Sequence, residues 1–182
     1  MPFTATGIEG LIVVEPRVFA DDRGYFYESY NAEKFKAGGI TADFIQDNQA
    51  FSHYGTVRGL HYQAPPFAQA KLVRVVQGKV LDVAVDLRPA SATYLRVFSI
   101  VLSAENHKQL FVPRGFAHGY SVLSESAIFC YKVDNVYSKA SEGGIFLDDT
   151  QLNIDWQVPE ADRIISEKDL HLPALGQHVP AH

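Results

Sequence analysis

One cysteine, Cys130, stands in 182 residues, so no intramolecular disulfide can form. Its setting, Ala127-Ile128-Phe129-Cys130, is apolar and points to a small buried hydrophobe rather than a nucleophile. No apolar run approaches the roughly 20 residues that a membrane-spanning helix needs. An excess of positive charge is missing too. Lys and Arg total 16 against 21 Asp and Glu, and the net charge of −5 argues against a nucleic-acid or membrane-surface binder. Met1-Pro2-Phe3-Thr4 opens no basic-then-apolar export pattern, so the expected location is the cytoplasm. Helical periodicity is also scarce. A composition of 47% hydrophobic and 20% charged residues is ordinary for a globular protein, and the length suits one well-cored domain over 1–182.

Short strand patterns fill the chain. Thr56 to Gln63, Lys71 to Val76 and Lys79 to Asp86 read as three successive strands, with a Gln77-Gly78 turn between the last two. In the third, Leu81, Val83 and Val85 alternate with Asp82, Ala84 and Asp86, the pattern of a half-buried antiparallel strand. Further strands are expected at Leu95 to Leu102, Gln109 to Val112, His118 to Val122 and Ala127 to Lys132. Ile8 to Phe19 is strand-rich but interrupted by Pro16, which suits an edge strand needing cover by a second subunit. Tyr25 to Tyr30 is aromatic and strand-like, while the polar triplet Gln46-Asp47-Asn48 reads as a loop able to hydrogen-bond a polar ligand. Helix is expected only at Asn31 to Ala37, capped by Asn31 and ended by Gly38-Gly39, and in a short turn opened by Ser166. From Tyr137 the periodicity fades, and the last ten residues read as a loose end. Many short strands with almost no helix give an all-β sandwich or barrel.

Chemistry concentrates around Arg58-Gly59-Leu60-His61-Tyr62-Gln63, with Lys71 eight residues further on. In a strand Arg58 and Leu60 share one parity, and Gly59, His61 and Gln63 the other. Two readings fit these residues. One is a salt-bridged polar face; the other is proton chemistry beside a group that becomes negative. Tyr131 adds an acid for the second reading and a core aromatic with a wet hydroxyl for the first.

Two spacings test for a metal. Gly55 precedes His61 by six residues, and Pro113-Arg114-Gly115-Phe116-Ala117-His118 reads Pro-x-Gly-x-x-His, as in the halves of the two cupin motifs. Gln63 stands where a second histidine belongs, and Lys71 near where the glutamate belongs. A fixed ammonium repels a cation, and His61 with His118 are too few ligands, so no metal is expected.

Six blocks in register resemble the dTDP-4-dehydrorhamnose 3,5-epimerase family. They are Asp22-Arg23-Gly24-Tyr25-Phe26-Tyr27-Glu28, Arg58 to Gln63, Val80 to Arg88, Leu102 to Asn106, Gly115-Phe116-Ala117-His118-Gly119 and Ser166-Glu167-Lys168-Asp169. The resemblance implies a metal-free, cofactor-free jelly-roll isomerase, usually a homodimer, acting on a dTDP-4-keto-6-deoxy sugar. It implies His61 as base, Asp169 as the partner fixing its tautomer, Lys71 as the enolate's counter-charge and Tyr131 as the acid. Arg23, Glu28, Gln46, Asp47, Asn48, Arg58, His118, Glu142 and Lys168 are implied to hold the substrate, with Tyr137 stacked on the thymine. Family members usually carry Phe after Ala-His-Gly, where this chain has Tyr120. The alternatives are an epimerase acting at C3 or C5 alone, a metal-dependent cupin, and a cupin that binds a sugar nucleotide without turning it over.

Overall fold

The computed structural model describes residues 2–181. Two antiparallel sheets face each other. In spatial order the first holds β1 (Phe3–Ala5), β2 (Ile12–Val14), β10 (Gln109–Val112), β7 (Lys71–Gln77), β12 (Ser126–Val133) and β5 (Gln46–His53). The second holds β13 (Glu142–Gly144), β6 (Thr56–Gln63), β11 (Phe116–Val122), β8 (Lys79–Asp86) and β9 (Val97–Ser103), with β14 (Ile164–Ile165) parallel beside β6. A separate hairpin pairs β3 (Phe19–Asp21) with β4 (Gly24–Phe26), and the helices are α1 (Ala32–Ala37) and α2 (Glu167–Leu170). This is the all-β architecture that the strand pattern predicts and the jelly roll that the family resemblance implies.

Three apolar layers hold it. Between the sheets lie Val73, Val75, Leu110 and Phe129 from the first and Val80, Ala84, Leu102 and Val122 from the second. On the outside of the first sheet, Phe35 of α1 packs with Val14, Leu72 and Phe111. The Asn31 side chain caps that helix by accepting from the Lys34 N–H at 3.1 Å, as its position in the sequence predicts. The outside of the second sheet is covered by the C-terminal third of the chain. Leu147, Leu152, Trp156, Leu175 and Ala181 pack on Val57, Leu60, Leu81, Val83 and Val85.

That third layer overturns two expectations. Beyond Lys79, β8 is buried on both faces, because segments without strand periodicity blanket its outer side; its polar residues lie on the inner face. The chain end is docked rather than loose. Leu175 and Ala181 are buried, and the Tyr62 hydroxyl donates to the Val179 carbonyl. Trp156 anchors the cover, with its ring fully buried and its Nε1–H donated to the Leu147 carbonyl at 3.0 Å.

Three smaller differences concern the first sheet. Ile8 to Phe19 is not an uncovered edge. Ile8, Leu11, Val13 and Val14 are buried, and β2 is flanked by β1 and β10. Gln46-Asp47-Asn48 is no loop but the start of β5, where each residue pairs with β12 through Val133, Lys132 and Tyr131. Cys130 is half-buried, its thiol 3.7 Å from the Gln49 side chain, since it occupies the outward parity of β12.

Candidate active site

Polar groups replace apolar ones at one end of the space between the sheets and open a cavity of about 330 Å³. Lys71 and Tyr131 come from the first sheet, on adjacent strands β7 and β12. Lys71 pairs with Val133, two residues from Tyr131, so both side chains share the inner face. Arg58 and His61 on β6 and His118 and Tyr120 on β11 face them from the second sheet. Ser166, Lys168 and Asp169 close the wall from the start of α2.

Strand parity predicts that Arg58 and His61 point to opposite faces, yet both line the cavity. The register explains it. His61 pairs with His118 and Arg58 with Tyr120, so β6 carries one residue more than β11 between these pairs. This bulge resets the alternation, leaving Val57 and Leu60 outside and Arg58 and His61 inside. Gly59 is the residue that allows it. Its φ is +120°, and a Cβ there would lie 2.7 Å from Gly119 Cα and 2.8 Å from the His118 carbonyl oxygen.

The Gly59 N–H leaves the ladder and donates to Asp169 Oδ2 at 3.3 Å, while Asp169 Oδ1 accepts from His61 Nε2 at 2.7 Å. With Nε2–H held by a carboxylate, Nδ1 is the basic nitrogen of His61. Burial works to raise the Asp169 carboxyl, but His61, the Gly59 N–H and Ser166 outweigh it and hold it below its ordinary range. Asp169 reaches this position because the Ser166 side chain caps α2 by accepting the Asp169 N–H at 3.1 Å.

A second pair lies deeper. His118 Nε2 is 2.9 Å and 3.0 Å from the two oxygens of Asp82, which is fully buried on β8. Burial pushes the Asp82 carboxyl up, opposed by His118 and by the Lys71 charge. Lys71 is pushed down to about 8 by burial, with Asp82 as the smaller opposing effect. Burial also raises the Tyr131 phenol, against the Arg58 charge, so the phenol keeps its proton at neutral pH.

Three-quarters of the way along the chain a rim forms. The Tyr137 hydroxyl lies 3.4 Å from Glu142 Oε2, and Glu142 Oε1 pairs with Lys168 at the cavity edge. The Tyr137 ring remains exposed.

A family model described as dTDP-4-dehydrorhamnose 3,5-epimerase matches residues 5–177. The chain belongs to this family. It is 48% identical over 167 residues to the dTDP-4-dehydrorhamnose 3,5-epimerase of Shigella flexneri, covering 91% of each chain. The crystal structure of the enzyme from Elizabethkingia anophelis superposes with a TM-score of 0.92 at 52% identity, over 96% of each chain. The Legionella pneumophila 3,5-epimerase, solved in complex with dTDP-4-keto-L-rhamnose, gives 0.92 at 43% identity, over 97% of this chain and 93% of that one.

Within one chain, not every residue that the family resemblance implies reaches the cavity. His61, Lys71, Tyr131, Asp169, Arg58, His118 and Lys168 line it. Glu142 and Tyr137 join through Lys168. Arg23 instead bonds Asp21 at 2.6 Å at the exposed hairpin, and Glu28 bonds Lys34 at 2.7 Å. Gln46 donates to Asn48 at 2.8 Å, and Asp47 pairs with Lys132 at 2.8 Å, all on the edge strand β5. Asp82 and Tyr120 line or support the site as well; in the sequence Tyr120 stands out as a hydroxyl beside the sugar where the family usually has Phe, and Asp82 reads as a strand-face ion pair within reach of the pocket. The signal for both was parity, since 82, 118 and 120 lie on inward positions of paired strands.

Proposed function

We propose that the chain epimerises a dTDP-4-keto-6-deoxyhexose at C3 and C5 through enolate intermediates, giving the 4-keto-L-rhamnose nucleotide. The observation that carries this reading is the placement of His61 and Tyr131 on opposite walls of one cavity, with Lys71 between the sheets beside them. Inverting a carbon requires a proton taken from one face and returned to the other. His61 Nδ1 removes the proton next to the C4 ketone, and Asp169 stabilises the imidazolium. The Lys71 ammonium meets the enolate oxygen, an electrostatic contact in a site partly shielded from water. Tyr131 donates its proton from the far wall and is reprotonated between the two inversions. The reaction moves protons only and needs no redox cofactor.

Arg58 and Lys168 supply positive charge for the diphosphate, and the exposed Tyr137 ring supplies a stacking face for the base. The residues left outside the cavity gather on a surface that suits a second copy of the chain. Phe19, Tyr25 and Phe26 on the hairpin and Phe51 on β5 are exposed, and β5 is an edge of its sheet. We infer a homodimer through this surface, with Arg23, Glu28, Gln46, Asp47 and Asn48 at the interface.

Incubation with dTDP-4-keto-6-deoxyglucose in deuterated water, followed by NMR, tests the activity. Deuterium at both C3 and C5 with an L-rhamno product is expected, and an unlabelled substrate would overturn the reading. Light scattering at micromolar concentration tests the assembly, where a monomer would remove the dimer.

A further inference from the structure

The Tyr120 side chain is 6% exposed, and among the described residues its hydroxyl is the one buried side-chain polar atom with no hydrogen-bond partner. A buried hydroxyl without a partner is unfavourable, and such groups are rare in folded proteins unless something else supplies the bond. Its ring is fixed, stacked on Phe129 at 4.2 Å between centroids and 12° between planes. Its position is on the cavity wall. In register it pairs with Arg58 on one side and Asp82 on the other, two residues along β11 from His118. Burial raises the phenol, against the nearby Ser52 side chain and the Arg58 charge, so the hydroxyl stays protonated and can both donate and accept. The Ser52 oxygen already accepts from Arg58 at 3.2 Å and makes no hydrogen bond of normal geometry with the phenol.

We propose that the Tyr120 hydroxyl hydrogen-bonds the C3 hydroxyl of the substrate hexose and so favours inversion at C3. This rests on the reading of the cavity as the site of a 4-keto-6-deoxyhexose. The assignment to the hexose follows from placement. Tyr120 shares the cavity wall with His61 and His118 and faces Tyr131, whereas Tyr137 and Glu142 form the rim. The assignment to C3 follows from chemistry. Of the two inverting carbons, C3 bears a hydroxyl that can both donate and accept, and C5 bears a methyl group that can do neither. A neutral phenol matches the neutral hydroxyl, and the cavity's cations are suited to the charged enolate and diphosphate.

The test compares wild-type protein with Tyr120→Phe, which removes one oxygen and keeps the stacked ring. Deuterium incorporation at C3 and C5 is followed separately by NMR, alongside the Tm and the affinity for free dTDP. The variant is expected to keep or raise the Tm, since an unpartnered hydroxyl is gone, and to bind dTDP as tightly as wild type. Exchange at C3 should fall about tenfold, the scale of one hydrogen bond, while exchange at C5 holds. Equal losses at both carbons, a loss at C5 alone, or wild-type rates at both would overturn the inference. So would a lowered Tm with weakened dTDP binding, which marks a purely structural residue. A wild-type protein that labels neither carbon would overturn the function of the site and this inference with it; an active wild type with an indifferent variant overturns this inference alone.

Discussion

The cavity holds two histidine–carboxylate pairs built on the same two neighbouring strands, and they differ in almost everything else. His61 takes its carboxylate from Asp169, 108 residues away on a capped four-residue helix, and its side chain is 31% exposed to the cavity. His118 takes Asp82 from the adjacent strand β8, and the pair is almost wholly shut off from water. The same two residue types therefore sit in different surroundings. An imidazole open to substrate on one nitrogen and held on the other can exchange a proton. The His118–Asp82 pair sits deeper in the same wall beside Lys71, where the Asp82 charge opposes loss of the ammonium.

The contrast breaks most sharply at His61. His61→Asn should lower kcat/KM by about 10³-fold or more, within the range of an acid–base group, and leave the unfolding free energy within about 1 kcal/mol. Steady-state kinetics and urea unfolding on one preparation check both halves. His118→Ala should invert the pattern in stability. It strands the buried Asp82 and should destabilise the fold by about 3–5 kcal/mol, read as a shift in urea midpoint. If both variants lose stability alike, the two pairs have the same role.

Asp169→Asn sharpens the comparison at smaller scale. It can no longer fix the Nε2–H tautomer, and about a hundred-fold loss in kcat with little change in KM is expected. Lys71 predicts a pH limb. Its ammonium is lost as pH rises through about 8, so kcat/KM should fall above that pH, and Lys71→Met should abolish activity without lowering stability. A rate that is flat to pH 9.5 would remove the lysine from the mechanism.

The smallest effect is in acid, where the carboxylates carry opposite signs. The Asp169 carboxyl is lowered in the fold, so its contribution is present above the unfolded value of about 3.9 and is lost as pH falls through the folded value. The Asp82 carboxyl is raised, so acidification relieves it and stability is gained as pH falls towards the unfolded value. Comparing unfolding free energies of Asp169→Asn and Asp82→Asn with wild type between pH 3 and 7 should give slopes of opposite sign.

Much of this site was readable before the fold. Strand boundaries at Thr56–Gln63, Lys79–Asp86 and Gln109–Val112 follow from β-branched runs and turn residues, and they match the structure to the residue. His61 stands in the first of those runs, and Lys71 and Tyr131 in the strands at Lys71–Gln77 and Ser126–Val133, as polar exceptions. Asp169 is harder. Ser166 announces the helix cap, but no local pattern says that the fourth residue of a short turn meets a strand more than a hundred residues earlier. Tyr120 shows in the sequence as a departure from the family's Phe and Asp82 as one of several strand charges, and only the pairing of β11 with β8 and β6 puts them at one cavity.

The sequence by itself determined what is local: alternation, turns, caps, and the lack of any long apolar or basic run. Those depend on neighbours within a few residues, where backbone sterics and side-chain spacing decide. Tertiary structure decided what depends on distant neighbours. One extra residue on β6 turned Arg58 and His61 to the same side, and the facing sheet buried the Asp82 and Asp86 side of β8 that its own pattern leaves open, while the segment around Trp156 covered the apolar side. Burial then divided two like histidine–carboxylate pairs into one open to the cavity and one almost shut off from water. Exposure and dielectric are properties of the assembled sheets, and no stretch of either strand encodes them alone.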